Sequence, residues 1–192
     1  MKKSIVLFLS AVISLFVFQT SDAQSINIGI GGGLTNVQTP SYYTDSLGFS
    51  SEFHIGIKGK LNFPLVPITP IAFVEYHFLS GSRSTSAGSA DTKQNILSIG
   101  IGGEYSLLPG PISPYLGVDF EFNSFGDREI TGSPTAPGVS RSGLGLGAGV
   151  MIELLPVISL DASLKYQMLN LFGKIDNEDT IGIINLNVAV FF

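Results

Sequence analysis

Four places in this chain hold residue types that can do chemistry. The first is Gly143-Leu-Gly-Leu-Gly-Ala-Gly149. Glycine-rich runs cradle phosphate when they open a helix and carry a following Lys-Ser/Thr. Neither follows here, and the glycines alternate strictly, so they read as one face of a strand. The second is the pair His54 and His77, the only histidines, with Glu52 and Glu75 nearby in sequence. Their spacing is neither His-x-His nor His-Glu-x-x-His, as a zinc site on one element would need, so they read as hydrogen-bonded side chains on adjacent strands. The third is His77 with Ser80. A nucleophile and its base must face each other, but residues three apart on a strand point to opposite faces. The fourth is Asp176-Asn-Glu-Asp179, which is rich in carboxylates but lacks the twelve-residue calcium loop. It reads as a solvated acidic loop. The expectation is therefore no catalytic residue, no cofactor and no metal: not an enzyme.

The elements that carry these residues show period two, the signature of strands. From Glu52 to Phe63, the residues Phe53, Ile55, Ile57, Gly59, Leu61 and Phe63 fall on one face. Glu52, His54, Lys58 and Lys60 fall on the other. The same sorting predicts eight strands, near 25–35, 51–63, 69–80, 94–107, 113–124, 141–154, 157–169 and 180–192. Their apolar faces hold no ionisable side chain. The opposite faces hold Glu52, Lys58, Lys60, Glu75, Glu104, Asp119, Glu121, Arg141, Glu153, Asp161 and Lys165.

The chain has 192 residues, 13% charged, 44% hydrophobic and without cysteine. Soluble domains carry about 25% charged residues, and no stretch after residue 23 is apolar enough for a spanning helix. Lys2 and Lys3, the apolar run Ile5–Phe18, then Ser21 and Ala23 predict a secretory signal peptide over 1–23. That leaves one domain, 24–192. Without cysteine there is no lipid-anchoring site at that junction. From residue 24 onward there are 8 Lys and Arg against 14 Asp and Glu. This balance argues against nucleic acid, whose phosphates need clustered cations.

Connection lengths alternate. Those at 64–68, 108–112 and 155–156 are short and contain proline, whereas 36–50, 81–93, 125–140 and 170–179 are long and polar. This is an up-and-down meander with both termini on the short-turn rim. Pro67-Ile-Thr-Pro70 and Pro111-Ile-Ser-Pro114 repeat at a spacing of 44 residues, one strand pair per unit. Alternation alone leaves open which face points inward. A soluble, lipocalin-like ligand-binding barrel of the periplasm would put the apolar face inside, and a membrane barrel would put it outside. Strands of 11–14 residues, glycine-rich polar faces, aromatics near strand ends and a terminal apolar strand favour the membrane.

Together, the leader, the eight amphipathic strands, the proline-bearing short turns and the last strand Asn187-Val-Ala-Val-Phe-Phe192 resemble the small outer-membrane β-barrel family of the OmpA/OmpX type. The resemblance implies an all-β, eight-stranded antiparallel transmembrane barrel in the outer membrane of a Gram-negative-type bacterium, reached by signal-dependent export. It implies outer-membrane lipids as surroundings. Val188, Val190 and Phe192 match the signal read by the barrel-assembly machinery during insertion. Some members continue into a peptidoglycan-binding domain; the sequence stops at Phe192, so wall tethering is not expected. The expected role is structural or surface-interacting, through an extracellular partner at the four long loops. The ionisable side chains named above would pair in a filled lumen. The alternative within a membrane barrel is a narrow pore for small solutes.

Overall fold

A computed structural model describes residues 25–192 apart from 50, 64–65, 86–87 and 176. The expected signal peptide lies outside the described residues. Nine strands follow in order: β1 Ser25–Thr39, β2 Ser51–Asn62, β3 Ile68–Thr85, β4 Gly88–Ser106, β5 Ile112–Phe125, β6 Glu129–Ile130, β7 Val139–Leu155, β8 Ile158–Phe172 and β9 Gly182–Phe191. Every pairing is antiparallel, in the order β3-β2-β1-β9-β8-β7-β5-β4, and β3 pairs with β4 to close the ring. The result is an eight-stranded barrel. The ninth strand, β6, adds two residues to the long-connection end of β4.

Closure follows from the alternation. Because each strand has one greasy and one polar face, the ring puts all greasy faces on one side. That side is the outside. Ile30, Ile57, Ile101, Val118, Leu146 and Leu164 are each more than half exposed, while Lys60, Glu104, Asp119, Glu121 and Asp161 are buried. Cross-strand neighbours share the outer face, as Val118 with Leu146 and Ile30 with Ile57. A closed ring also leaves no unpaired sheet edge, which hydrocarbon would not tolerate.

The structure corrects the strand lengths. The stretch 81–93, expected as a loop, is mostly hairpin, with β3 and β4 paired as far as Thr85 and Gly88. Beyond the belt of exposed apolar rows, neither face needs to be apolar, so Ser, Gly, Thr and Asp show no alternation to read. β1 and β8 likewise run past their expected ends, to Thr39 and Phe172. The connection after β1 makes one π-helical turn, Tyr42–Ser46, and then bridges to β3 through Phe49 and Gly81. Gly48, at φ +71°, makes that approach; a Cβ there would meet the Ser82 carbonyl oxygen at 2.7 Å.

Candidate functional site

The functional question for such a barrel is what fills its axis. At the short-turn mouth lies a polar vestibule of about 190 Å³, lined by Asn27, Asn62, Thr69, Ser106, Ser113 and Glu153 among others. Lys60 forms part of its wall. Its ammonium donates to Glu104 and Asp161, both at 2.6 Å, and lies between the rings of Tyr115 and Phe191, 4.7 and 4.8 Å from their centroids. Lys58 donates to Glu104 at 3.1 Å, and the Tyr115 hydroxyl donates to Asp161 at 2.8 Å. Each charge here has several partners, as a buried ion pair needs to offset its lost hydration.

A second cluster sits further along the axis. Lys165 reaches Asp119 at 3.1 Å, with Glu75 and Glu121 each at 3.8 Å. Its ammonium also lies 3.7 Å from the centroid of Phe73, close enough for the ring face to attract it. The Gln167 amide donates to Glu121 at 2.6 Å and to Glu75 at 3.2 Å, while its own carbonyl accepts from Asn185. A remaining void of about 60 Å³ touches Glu75, Asp119, Tyr115 and Lys165, room for a few waters.

Next come the two histidines, directly opposed on β2 and β3. The Thr35 hydroxyl lies 2.9 Å from Nδ1 of both rings. Having one proton, it can donate to only one of them, so the other ring donates to it. Nε2 of His54 bonds the side-chain oxygen of Asn187. The pair is thereby tied into the lumen. Among the described residues, no group of three or more His, Asp or Glu is placed to hold a metal.

The outer end is different in kind. Val37, Leu47, Phe49, Leu79, Ile96, Phe125, Leu169, Ile181 and Ile183 form one buried apolar cluster. Leu47 and Phe49 come from the first long connection, which folds inward to meet residues from six strands. This cap lies at the long-loop end of the charged lumen.

The structure thus brings together eight of the eleven ionisable residues singled out from sequence: Lys58, Lys60, Lys165, Glu75, Glu104, Asp119, Glu121 and Asp161. Three stand apart. Glu52 accepts from the Ser80 hydroxyl at 2.7 Å. Arg141 does not pair with any of the predicted anions; it grips Glu178 of the last long connection, with three bonds of 2.9–3.1 Å. A rim arginine can turn to whichever carboxylate its loop presents. Glu153 is exposed in the wall of the vestibule. Val188 and Phe192 lie on the outer face; Phe191 points inward and is fully buried. Partial burial raises the Glu178 carboxyl, but bonds from Arg141, Asn170 and the Ile175 amide outweigh it and hold the group below the usual glutamate range.

Sequence reasoning missed the cap, Tyr115, Phe73 and Phe191. A signal for the cap was present: Phe78-Leu79, Ile96-Leu97 and Ile183-Ile184 are apolar on both faces at strand ends, so alternation breaks there.

The closed eight-stranded barrel with a greasy exterior is the architecture of an outer-membrane protein. Residues 8–192 match the outer membrane protein beta-barrel domain family, and the chain belongs to it. No curated protein matches the chain in sequence. Among solved structures, Neisserial surface protein A is similar at 21% identity and a TM-score of 0.62, covering 88% of this chain and 98% of that one. Ail of Yersinia pestis, solved with the heparin analogue sucrose octasulfate, is 17% identical with a TM-score of 0.55, covering 90% of this chain and all of that one. OprG of Pseudomonas aeruginosa is 13% identical with a TM-score of 0.55, covering 88% and 97%. At these identities the likeness is one of fold. Family membership places the protein in the outer membrane.

Proposed function

We propose that this protein is a non-catalytic outer-membrane barrel whose lumen does not conduct and whose work is done by the long connections facing the cell exterior. The observation that carries this reading is the apolar cap of Leu47, Phe49 and their strand partners over a lumen already crossed by ion pairs. A hydrated ion passing through would have to shed water against greasy side chains, at a cost of several kcal/mol or more. Export uses the leader at 1–23, and insertion uses Val188, Val190 and Phe192 as the assembly signal. Outer-membrane lipid surrounds the belt, and a partner outside the cell meets the connections at 36–50, 81–93, 125–140 and 170–179. A rigid scaffold carrying polar loops is where binding function usually sits.

The narrow-pore reading is opposed by the same cap. The soluble ligand-binding reading is opposed by the exposed rows of Ile, Leu and Val and by the filled axis. Refolded protein in a planar bilayer tests the proposal: no steady conductance is expected. Reproducible open-channel steps from the unmodified protein would overturn it in favour of the pore.

A further inference from the structure

The short-turn rim has a composition that a water-facing rim does not need. Val66, Leu107, Leu108, Leu154, Leu155 and Val157 are each about half exposed or more. The stretches 63–74, 105–118 and 154–160 contain no charged residue. Among the described residues, the charges of the connections, from Asp45 to Asp179, lie at the opposite rim.

The backbone of these turns is equally distinctive. Positions 64, 67, 109, 111 and 156 are proline, which removes the amide donor. Several of the remaining polar groups are satisfied from within. Ser106 N–H donates to the Pro67 carbonyl, Leu107 N–H to Pro114 and Glu153 N–H to Pro111, each at 2.8 Å. The Ser106 hydroxyl donates to the Leu108 carbonyl at 3.2 Å and the Ser113 hydroxyl to Gly110 at 2.6 Å. Internal bonding of this kind lets a turn do without water. It suits contact with acyl chains, where unsatisfied backbone groups are costly.

The apolar turns continue the lipid-facing belt without a break. On β5 the outward row runs from Ile112 to Phe122. At the rise and tilt of barrel strands that row spans about 25 Å, the height of a full apolar band. Leu107, whose N–H bonds the Pro114 carbonyl, lies level with the start of that row and widens it around the rim. We infer that the short-turn rim is a lipid-binding surface, immersed at the boundary of acyl chains and headgroups in the inner, phospholipid leaflet, so that the barrel sits low in the membrane. This rests on the membrane reading of the belt.

The chain contains no tryptophan, so single tryptophans report position cleanly. Val66→Trp, Leu108→Trp and Val157→Trp would be refolded into phosphatidylcholine vesicles brominated either near the headgroup or near the chain end. Val118→Trp marks mid-belt, and Thr135→Trp marks the long-loop rim. The rim tryptophans should show blue-shifted emission and lose roughly half of it to the shallow bromines. Val118→Trp should be quenched best by the deep bromines, and Thr135→Trp by neither. If Val118→Trp is quenched and the rim tryptophans are not, the inference fails and the membrane reading stands. A blue shift at the rim without quenching would mean that protein, as a second copy or a periplasmic partner, covers it. That too would overturn the inference. If Val118→Trp escapes quenching, the membrane reading itself fails.

Discussion

At the scale of single residues, the account turns on which side of the wall each side chain occupies. Val118 and Leu146 are neighbours on the outer face. Val118→Arg or Leu146→Arg should destabilise the barrel by ~2–4 kcal/mol near the bilayer midplane, measured by urea titration in vesicles. One step along each strand the consequence changes. A Cβ at Gly145 would meet Lys165 Cε at 2.5 Å and the Asp119 carboxylate. Gly145→Ala should therefore cost ~1–3 kcal/mol through crowding rather than through lipid. Lys60→Met leaves Glu104 and Asp161 with Lys58 alone, at 3.1 and 3.8 Å, and should cost ~3 kcal/mol, the low end for a broken buried pair. In the same titration, changing Lys58 together with Lys60, Glu104 and Asp161 to apolar residues of similar volume should recover much of that loss.

Among elements, the first and last long connections contribute to the outer cap. Phe49 is buried in the cap, so Phe49→Ala should cost ~3–5 kcal/mol and speed hydrogen exchange in residues 40–49. The last connection is held by Arg141 on Glu178. The Glu178 carboxyl is lower in the folded protein than in the unfolded chain, so its contribution is complete above the ordinary glutamate range. It is lost as pH falls through the lowered value. Hydrogen exchange in 173–181 should rise on acidification, and Glu178→Gln should abolish most of that pH dependence. Such loop chemistry was barely legible beforehand. Glu178 read as one more solvated acid, since nothing in sequence says that Arg141 turns toward it. The β3–β4 hairpin was hidden for a related reason: a strand that leaves the lipid has no apolar face to display. The strands within the lipid were legible because one side of each had to be greasy, and that constraint wrote Phe53-x-Ile55-x-Ile57 into the chain.

For the whole molecule, closure links belt, lumen and cap. The lumen charges were readable as a set, since the phase that puts Val118 outward puts Asp119 inward. Their pairing pattern was not readable, because it depends on which strands face each other across the ring. Tyr115 and Phe191, which enclose Lys60, show this: both are apolar rings on the polar phase. The orientation of the wall is what everything else requires, and site-directed spin labelling of the cysteine-free chain measures it most directly. Labels at Leu116→Cys, Val118→Cys and Phe120→Cys in vesicles should be relaxed by oxygen, which dissolves in lipid, and spared by a water-soluble nickel complex. Labels at Gly117→Cys and Asp119→Cys should lack that preference for oxygen. The reverse pattern, with nickel reaching Val118 and oxygen favouring Asp119, would contradict the account.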